Sequence, residues 1–322
     1  MQCRICGSTA EHATYQVREM MLGLQDEHTY FQCSQCHCLQ IAVIPDNLPD
    51  YYPQNYYSYQ APASGNSLRR RLVRLRDYHA ITGASLPGRL LNLLMPNPKL
   101  KTLRPLNLKP DSTVLDVGCG AGLILYSLRE LGFTKLLGID PFNQDHIEYP
   151  NGLRIARQDI FQTGGQWDAI MFHHSFEHLP EQQQTLQQAF RLLKPEGTVL
   201  LRIPTVSSWA WQHYGVNWSQ LDAPRHLFLH ALESMRELAR QTGFEVAQVT
   251  YDSNAFQFWG SEQYEKGIAL RSPRSWAESP ENAIFTRKQI AGFEKRAQEL
   301  NAVNQGDQAA FYLRKAGGVT AA

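Results

Sequence analysis

The chain has 322 residues, 43% of them apolar, and 31 basic against 30 acidic side chains for a formal charge of +1; that is globular composition with room for one large domain or two to three smaller ones. The charge balance argues against a broad nucleic-acid footprint, which needs a basic excess. No apolar run reaches the ~20 residues that span a bilayer, the opening MQCRICGS has no apolar leader core, and six cysteines fit a reducing compartment, so a soluble cytoplasmic protein with no membrane partner is expected.

Residues 1–45 carry Cys3-Arg-Ile-Cys6 and Cys33-Ser-Gln-Cys36. Two C-x2-C pairs can close a tetrahedral thiolate cage around one zinc ion. His37 and Cys38 are spare donors, and either can replace one cysteine. Four protein ligands leave no open coordination position, so the expected zinc is structural. Strand composition at Thr14–Val17 and Thr29–Gln32 places each pair on a tight knuckle at a strand end. So short a segment buries little core and draws part of its folding free energy from metal.

Residues 46–110 read as a connector followed by helices. Pro45, Pro49, Pro53 and Pro62 interrupt any helix. The cluster Tyr51, Tyr52, Tyr56, Tyr57 and Tyr59 is too aromatic for a free linker and is expected to pack on a surface or border a pocket. Arg69, Arg70, Arg71, Arg74 and Arg76 share a helical stretch with Leu68, Leu72, Val73 and Leu75, and read as its solvated face. Leu90, Leu91, Leu93 and Leu94 continue the helical spacing between Pro87 and Pro96.

From residue 111 strand and helix signals alternate. Strands are expected at Thr113–Val117, Lys135–Ile139, Leu153–Ala156, Asp168–Phe172, Thr198–Ile203 and Phe244–Thr250. Helix faces lie at Ile124/Leu128/Leu131, Leu186/Phe190/Leu193 and Leu232/Met235/Leu238. Repeated β-α units imply a parallel sheet covered by helices on both faces. Ile290, Phe293, Ala297 and Leu300 define a late amphipathic helix, and AAFYLR at 309–314 reads as a last strand, with 251–308 as a long insertion.

The chemistry sits in Val114-Leu115-Asp116-Val117-Gly118-Cys119-Gly120-Ala121-Gly122, a strand running into a glycine loop and then a helix. The G-x-G-x-G spacing is not a dinucleotide fingerprint, which wants its third glycine where Leu123 stands, and no Lys-Ser/Thr follows as in a P-loop. Asp116 and Cys119 are expected in the cofactor-binding set, Asp116 with loop bracing as its plainer and compatible reading, Cys119 as a small space-filler and not a nucleophile. Asp140, before Pro141 at the end of the second strand, can accept two hydrogen bonds from a ribose diol. Asp159, after the third strand, can bond an adenine amino group. His173, His174, Glu177 and His178 follow the fourth strand, at the carboxyl edge where open α/β folds bind ligands. His178, His174 and His226 are the candidate general bases, and Arg225 a candidate anchor for an anionic substrate group. Trp209, Trp211, Tyr214 and Trp218 either wall a substrate pocket or pack as a cap.

On these motifs residues 111–250 resemble a class I S-adenosylmethionine-dependent methyltransferase. VLDVGCGAG matches the family's first motif, LLGID its second-strand acid and RQDIF its adenine-side motif; WDAIMFHHSFEHLP and LLKPEGTVLLRIP match its fourth and fifth strands. The resemblance implies an α/β Rossmann-like seven-stranded sheet of order 3-2-1-4-5-7-6, strand seven antiparallel, behind a small N-terminal zinc ribbon. It implies a glycine loop, Gly118 to Gly122, that holds S-adenosyl-L-methionine, with Asp140 on the ribose, Asp159 and Ile160 on the adenine and His173 near the methionine end. The cysteines, YYPQNYYSY and DAPRHL resemble a bacterial subgroup with a zinc-binding module, some of whose relatives methylate deoxysugars. The chain lacks the large extra C-terminal domain of the sugar C-methylating members and matches no complete sugar-methyltransferase signature. The expected organisation is a zinc module at 1–45, connector and helices at 46–110, and a methyltransferase domain from 111 to 322. A small-molecule acceptor, for example a sugar or cell-surface precursor, is the first expectation. An RNA or protein acceptor presented by the zinc module, and a non-catalytic binding protein that keeps the fold, are the alternatives.

Overall fold

The computed structural model describes residues 1–52 and 67–317; Tyr56, Tyr57 and Tyr59 of the aromatic cluster lie outside them. Strands β1 (Ala13–Arg18), β2 (Glu27–Gln32) and β3 (Leu39–Ile41) are followed by helices α1 (Ser67–Thr82), α2 (Leu86–Leu94) and α3 (Pro98–Lys101). Then come β4 (Thr113–Val117), α4 (Leu123–Glu130), β5 (Lys135–Ile139), β6 (Ile147–Glu148), β7 (Arg154–Ala156) and β8 (Trp167–His173). They are followed by α5 (Gln182–Leu192), β9 (Leu193–Pro204), α6 (Trp209–Tyr214), β10 (Phe228–Leu229), α7 (Leu232–Gln241) and β11 (Phe244–Tyr251). Helices α8 (Phe256–Glu265) and α9 (Arg287–Ala302) and strand β12 (Gln308–Lys315) complete the fold.

The described residues fall into two compact units, one drawn from 1–53, 176–183 and 202–311, the other from 54–175, 184–201 and 312–322. The first contains a small antiparallel sheet of order β1-β2-β3-β10, in register Tyr15 opposite Tyr30, Tyr30 opposite Ile41 and Gln40 opposite Phe228. Val17, Tyr30, Phe31, Leu39, Ile41, Phe228 and Leu229 are buried and give this sheet its apolar core. The fourth strand comes from residues almost two hundred positions away, so the cysteine-bearing segment shares a core with later sequence instead of standing alone.

The larger sheet runs β11-β12-β9-β8-β4-β5-β7-β6, and β9 and β12 each pass from one unit into the other. Read from the β7 side, this is the expected order, with a two-residue edge strand β6 added. In the second unit β4 lies parallel to both β5 and β8, with Leu115 opposite Leu137 and Ile170. Val114 through Val117 are all buried, which is why this strand reads as a near-continuous apolar run. β9 starts at Leu193, earlier than the turn expected at Lys194–Gly197.

Helices α1 and α2 pack as a hairpin in the second unit, where Gly88 is required. A Cβ there would sit 2.2 Å from the Leu75 carbonyl oxygen. Ser85 caps α2 by accepting from the Gly88 N–H at 3.0 Å. Of the leucines at helical spacing, Leu68, Leu72, Leu75, Leu90, Leu93 and Leu94 are all exposed.

Candidate functional site

The glycine loop leaves the carboxyl end of β4, in the second unit. Gly118, Gly120 and Gly122 all have positive φ, at 69°, 54° and 71°. Gly118 and Gly122 also have no room for a side chain. A Cβ at Gly118 would lie 2.5 Å from the Ser175 Cβ, and one at Gly122 2.4 Å from the Ile155 Cδ1. The Ser175 hydroxyl donates to the Val117 carbonyl at 2.6 Å, tying the end of β8 to the start of the loop.

Asp140 braces this loop from below. Its Oδ2 accepts the Gly120 N–H at 2.8 Å and its Oδ1 the Phe142 N–H at 2.9 Å, while the Asn143 amide donates to the Gly120 carbonyl at 3.0 Å. Each carboxylate oxygen uses one lone pair for these bonds and keeps another. Burial raises the Asp140 carboxyl above its ordinary range despite those bonds. Asp116 is buried in β4, and its Oδ1 has no hydrogen-bond partner among the described residues. Burial first, and the neighbouring Asp140 second, push its carboxyl up to about 8. A buried carboxyl oxygen without a partner is costly to leave unpaired, so it has the capacity to accept one more hydrogen bond. Burial raises the Cys119 thiol well above its usual range.

Asp159 Oδ1 accepts from the N–H groups of Phe161 and Gln162, at 2.9 and 3.0 Å, and so caps the short 3-10 turn Ile160–Gln162. Ile160 is buried, Pro141 exposed, and His173 and His174 are half-buried at the end of β8, His174 with φ of 52°.

In the first unit the four cysteines converge. Cys3 and Cys36 Sγ are 3.6 Å apart, Cys6 and Cys33 likewise, and all four sulfurs lie within 4.8 Å of one another. Zinc–sulfur bonds of ~2.3 Å at tetrahedral angles put sulfurs about 3.8 Å apart, so the donor set fits that ion. Each knuckle ends in a left-handed residue, Gly7 at φ 75° and His37 at φ 60°, and the N–H of each donates back to the carbonyl of the first cysteine of its pair. Neither His37 nor Cys38 belongs to the group; the Cys38 Sγ instead lies 3.7 Å from the Leu39 carbonyl. The hydrogen bond from Cys36 pulls the Cys3 thiol down to about 4, and the same contact pushes Cys36 up.

A second cluster of the first unit joins His178, His226, Glu177 and Asp222. The His178 and His226 rings meet edge to face with centroids 4.8 Å apart. His226 Nδ1 lies 2.7 Å from the Gln220 carbonyl, which can only accept, so Nδ1 carries the hydrogen. Its Nε2 then faces Asp222 Oδ2 at 3.7 Å and Glu177 Oε1 at 3.9 Å. His178 Nδ1 lies 2.9 Å from the Arg225 carbonyl and 3.0 Å from the Tyr52 hydroxyl. Burial, and the adjacent His226, lower His178 to about 4, so it is neutral at physiological pH.

Two substrate-side expectations are corrected by burial. Arg225 is fully buried, and its guanidinium is occupied. Nε and Nη2 hold Asp222 at 3.0 and 2.5 Å, Nη2 also reaches Glu19 at 3.2 Å, and Nη1 the Tyr51 carbonyl at 3.3 Å. It is an internal ion-pair hub and cannot anchor a substrate anion. Trp218 is 1% exposed and donates its indole N–H to Asp307 Oδ2 at 2.9 Å. The cavity it borders, with Leu221 and Tyr264, holds about 10 Å³, room for at most one water. Trp209 stacks on His213 with centroids 4.3 Å apart and packs against Phe258. Trp211 and Trp218 are buried, whereas Trp209 is half-buried.

Sequence reasoning missed Glu19. Its buried carboxylate accepts four backbone N–H groups, from Met21, Leu22, Gly23 and Leu24, at 2.8–3.0 Å. A lone glutamate followed by apolar residues and a glycine carries no recognisable pattern, and its partner Arg225 lies 206 positions away.

Residues 90–249 match the family model described as a methyltransferase domain. The chain is 30% identical over 105 residues to the mitochondrial ubiquinone biosynthesis O-methyltransferase of Bos taurus, a match covering 27% of this chain and 27% of that protein. It is 28% identical over 99 residues to the ubiquinone biosynthesis O-methyltransferase of Colwellia psychrerythraea, covering 28% and 40%. The chain thus spans less than half the length of these curated relatives. Among solved structures, a SAM-dependent methyltransferase from Archaeoglobus fulgidus aligns over 70% of this chain and 98% of its own at 19% identity, with a TM-score of 0.43. With the strand-loop-helix of β4 and α4 inside it, the matched segment, residues 90–249, belongs to the methyltransferase-domain family.

Proposed function

We propose that this protein transfers a methyl group from S-adenosyl-L-methionine to a hydroxyl of a small-molecule acceptor, and that its cysteine cage holds a structural zinc ion. The observation that carries the reading is the glycine loop with its two acids: Gly118 and Gly122 have no space for side chains, and Asp116 Oδ1 is buried without a partner among the described residues.

When bound, the cofactor supplies an activated sulfonium methyl. The chain's own task is to bind and orient. Asp140 keeps lone pairs for the ribose diol while it braces Gly120, and Asp116 offers its partnerless oxygen to the donor groups of the methionine end. Asp159, with Ile160, is assigned to the adenine, and His173, His174 and Pro141 to the rim. Holding the reacting atoms in line in a desolvated site is worth several kcal/mol of barrier, of the order of 7–11 where alignment is complete.

The acceptor proton goes to an imidazole nitrogen. His226 is preferred to His178 for that role. Its Nδ1–H is fixed by Gln220, and two carboxylates flank the Nε2 that would take the proton. His178, lowered to about 4, is the weaker base and serves to hold the neighbouring ring. The curated relatives are O-methyltransferases by name, which supports an oxygen acceptor, and a sugar or cell-surface precursor is the small-molecule class we favour.

The test is release of S-adenosylhomocysteine from S-adenosylmethionine across a panel of hydroxylated small molecules. The His226→Ala variant should lower kcat by roughly 10²–10⁴-fold while cofactor affinity stays unchanged. Turnover equal to wild type would remove His226 as the base. No turnover with any acceptor, together with normal cofactor binding, would favour the non-catalytic alternative.

A further inference from the structure

We propose that the α1–α2 hairpin docks on the surface of an anionic lipid bilayer, its leucines entering the interface and its arginines meeting the lipid phosphates. The inference is independent of which acceptor is methylated, and it revises the expectation of a solvated helix face with no membrane partner.

Apolar exposure is the first support. Leu86, Leu90, Leu93 and Leu94 of α2 are 80%, 63%, 72% and 73% exposed, and Met95, one residue beyond, 58%. Leu68, Leu72 and Leu75 of α1 add to them. Scattered single leucines on a surface need no account, but this concentration on one hairpin does. Water-facing leucines at helical spacing are the signature of a helix that completes its burial against something else.

Charge identifies what that something is. Residues 67–109 hold ten basic side chains and a single acid, Asp77. Asp77 is buried and bonded to Arg76 and Asn97. The segment therefore carries +9 in a chain of net +1, leaving the remainder at −8. Arg70, Arg71, Arg74 and Glu130 line an open hollow of about 260 Å³, a volume that suits a phosphate headgroup; Glu130 takes up Arg70 at 2.9 Å, which leaves Arg71 and Arg74 to meet the phosphate. Arg89, Lys99, Lys101 and Arg104 are exposed on α2 and the following turns.

Leucines beside arginines on one amphipathic element match an anionic interface, where apolar side chains sink to the acyl boundary and cations stay at the phosphates. A nucleic acid would use the arginines but leave the leucines in water. A second copy of the chain would cover the leucines but set +9 against +9. No described helix is long and apolar enough to cross a membrane, so the hairpin would lie on the bilayer.

The experiment is flotation of the full chain with phosphatidylcholine vesicles, with and without phosphatidylglycerol. The protein should float with the anionic vesicles and not with the neutral ones. Replacing three cations together, Arg71→Gln, Arg74→Gln and Arg89→Gln, should weaken partition by about a hundredfold, since each is worth roughly a factor of five. Leu90→Ser, Leu93→Ser and Leu94→Ser together should abolish it at unchanged melting temperature, the positions being exposed. Absence of binding to anionic vesicles, equal binding to neutral ones, or arginine variants that float like wild type would overturn the proposal. So would a concentration-dependent dimer that the leucine variant dissociates, or salt-sensitive RNA binding with no flotation.

Discussion

Cys36→Ser should empty the cysteine cage and unfold the small sheet of the first unit. Structural zinc sites contribute folding free energy outright, about 10–16 kcal/mol in the smallest domains. Here the cage closes a segment whose strands β1 to β3 have three to six residues each, too little to hold themselves. The four sulfurs already lie at near-tetrahedral separations, so ion binding needs little rearrangement. Without a cation Cys3 and Cys36 share a hydrogen bond, which lowers the Cys3 thiol and raises that of Cys36. The expected result is a zinc-to-protein ratio falling from near one to near zero, with loss of the β1–β3 signal and a steep drop in melting temperature. Cys38→Ser is the matched control. Its thiol lies outside the cage, so the ratio should hold. A Cys36→Ser protein with an undiminished ratio would show that the cysteines do not bind the ion.

Arg225→Ala should cost about 3–5 kcal/mol, the range for breaking a buried ion pair from one side. Arg225 and Glu19 are fully buried, and Asp222 is nearly so. Removing the guanidinium leaves Asp222 without its charge partner and Glu19 with only its four backbone donors. The loss should depend on pH in a definite sense. Burial alone would raise Asp222, but the Arg225 charge and hydrogen bonds hold it at about 2, below the ordinary 3.8. A depressed carboxylate contributes stability that is present above its unfolded value and lost as pH falls toward the folded one. The difference between wild type and variant should therefore be full at neutral pH and shrink between about pH 4 and pH 2. Urea titrations at several pH values check this. A neutral-pH loss below about 1 kcal/mol, the range of exposed pairs, would return Arg225 to the list of substrate contacts.

What could be read from the chain divides by range of interaction. The strand, loop and helix from Val114 to Leu131 were legible because local spacing encodes them: an apolar run, three glycines, then Ile124, Leu128 and Leu131 at i, i+4 and i+7. The order of the large sheet followed from the resemblance those motifs carried. The cysteine pairs were legible for the same reason, each knuckle being four residues long. Arg225 was misread because its role depends on Glu19, and no local pattern pairs positions so far apart. Trp218 was open to two readings because aromatic residues suit a pocket wall and a core equally; its indole bond to Asp307 decides for the core. Strand β10 is two residues long and exists only because β3 offers it an edge. The leucines of α1 and α2 were legible as helical, but helical spacing says nothing of what covers the apolar face.

The central claim is that the loop from Gly118 to Gly122, braced by Asp140, holds an adenosyl cofactor. Titration calorimetry with S-adenosylhomocysteine tests it directly, on wild type and on Asp140→Ala. One site per chain is expected in the wild type, and an affinity weakened by about 1.5–3 kcal/mol in the variant, the usual loss for a hydrogen bond to a charged group. No heat of binding to the wild type, or equal affinity in the two proteins, would contradict it.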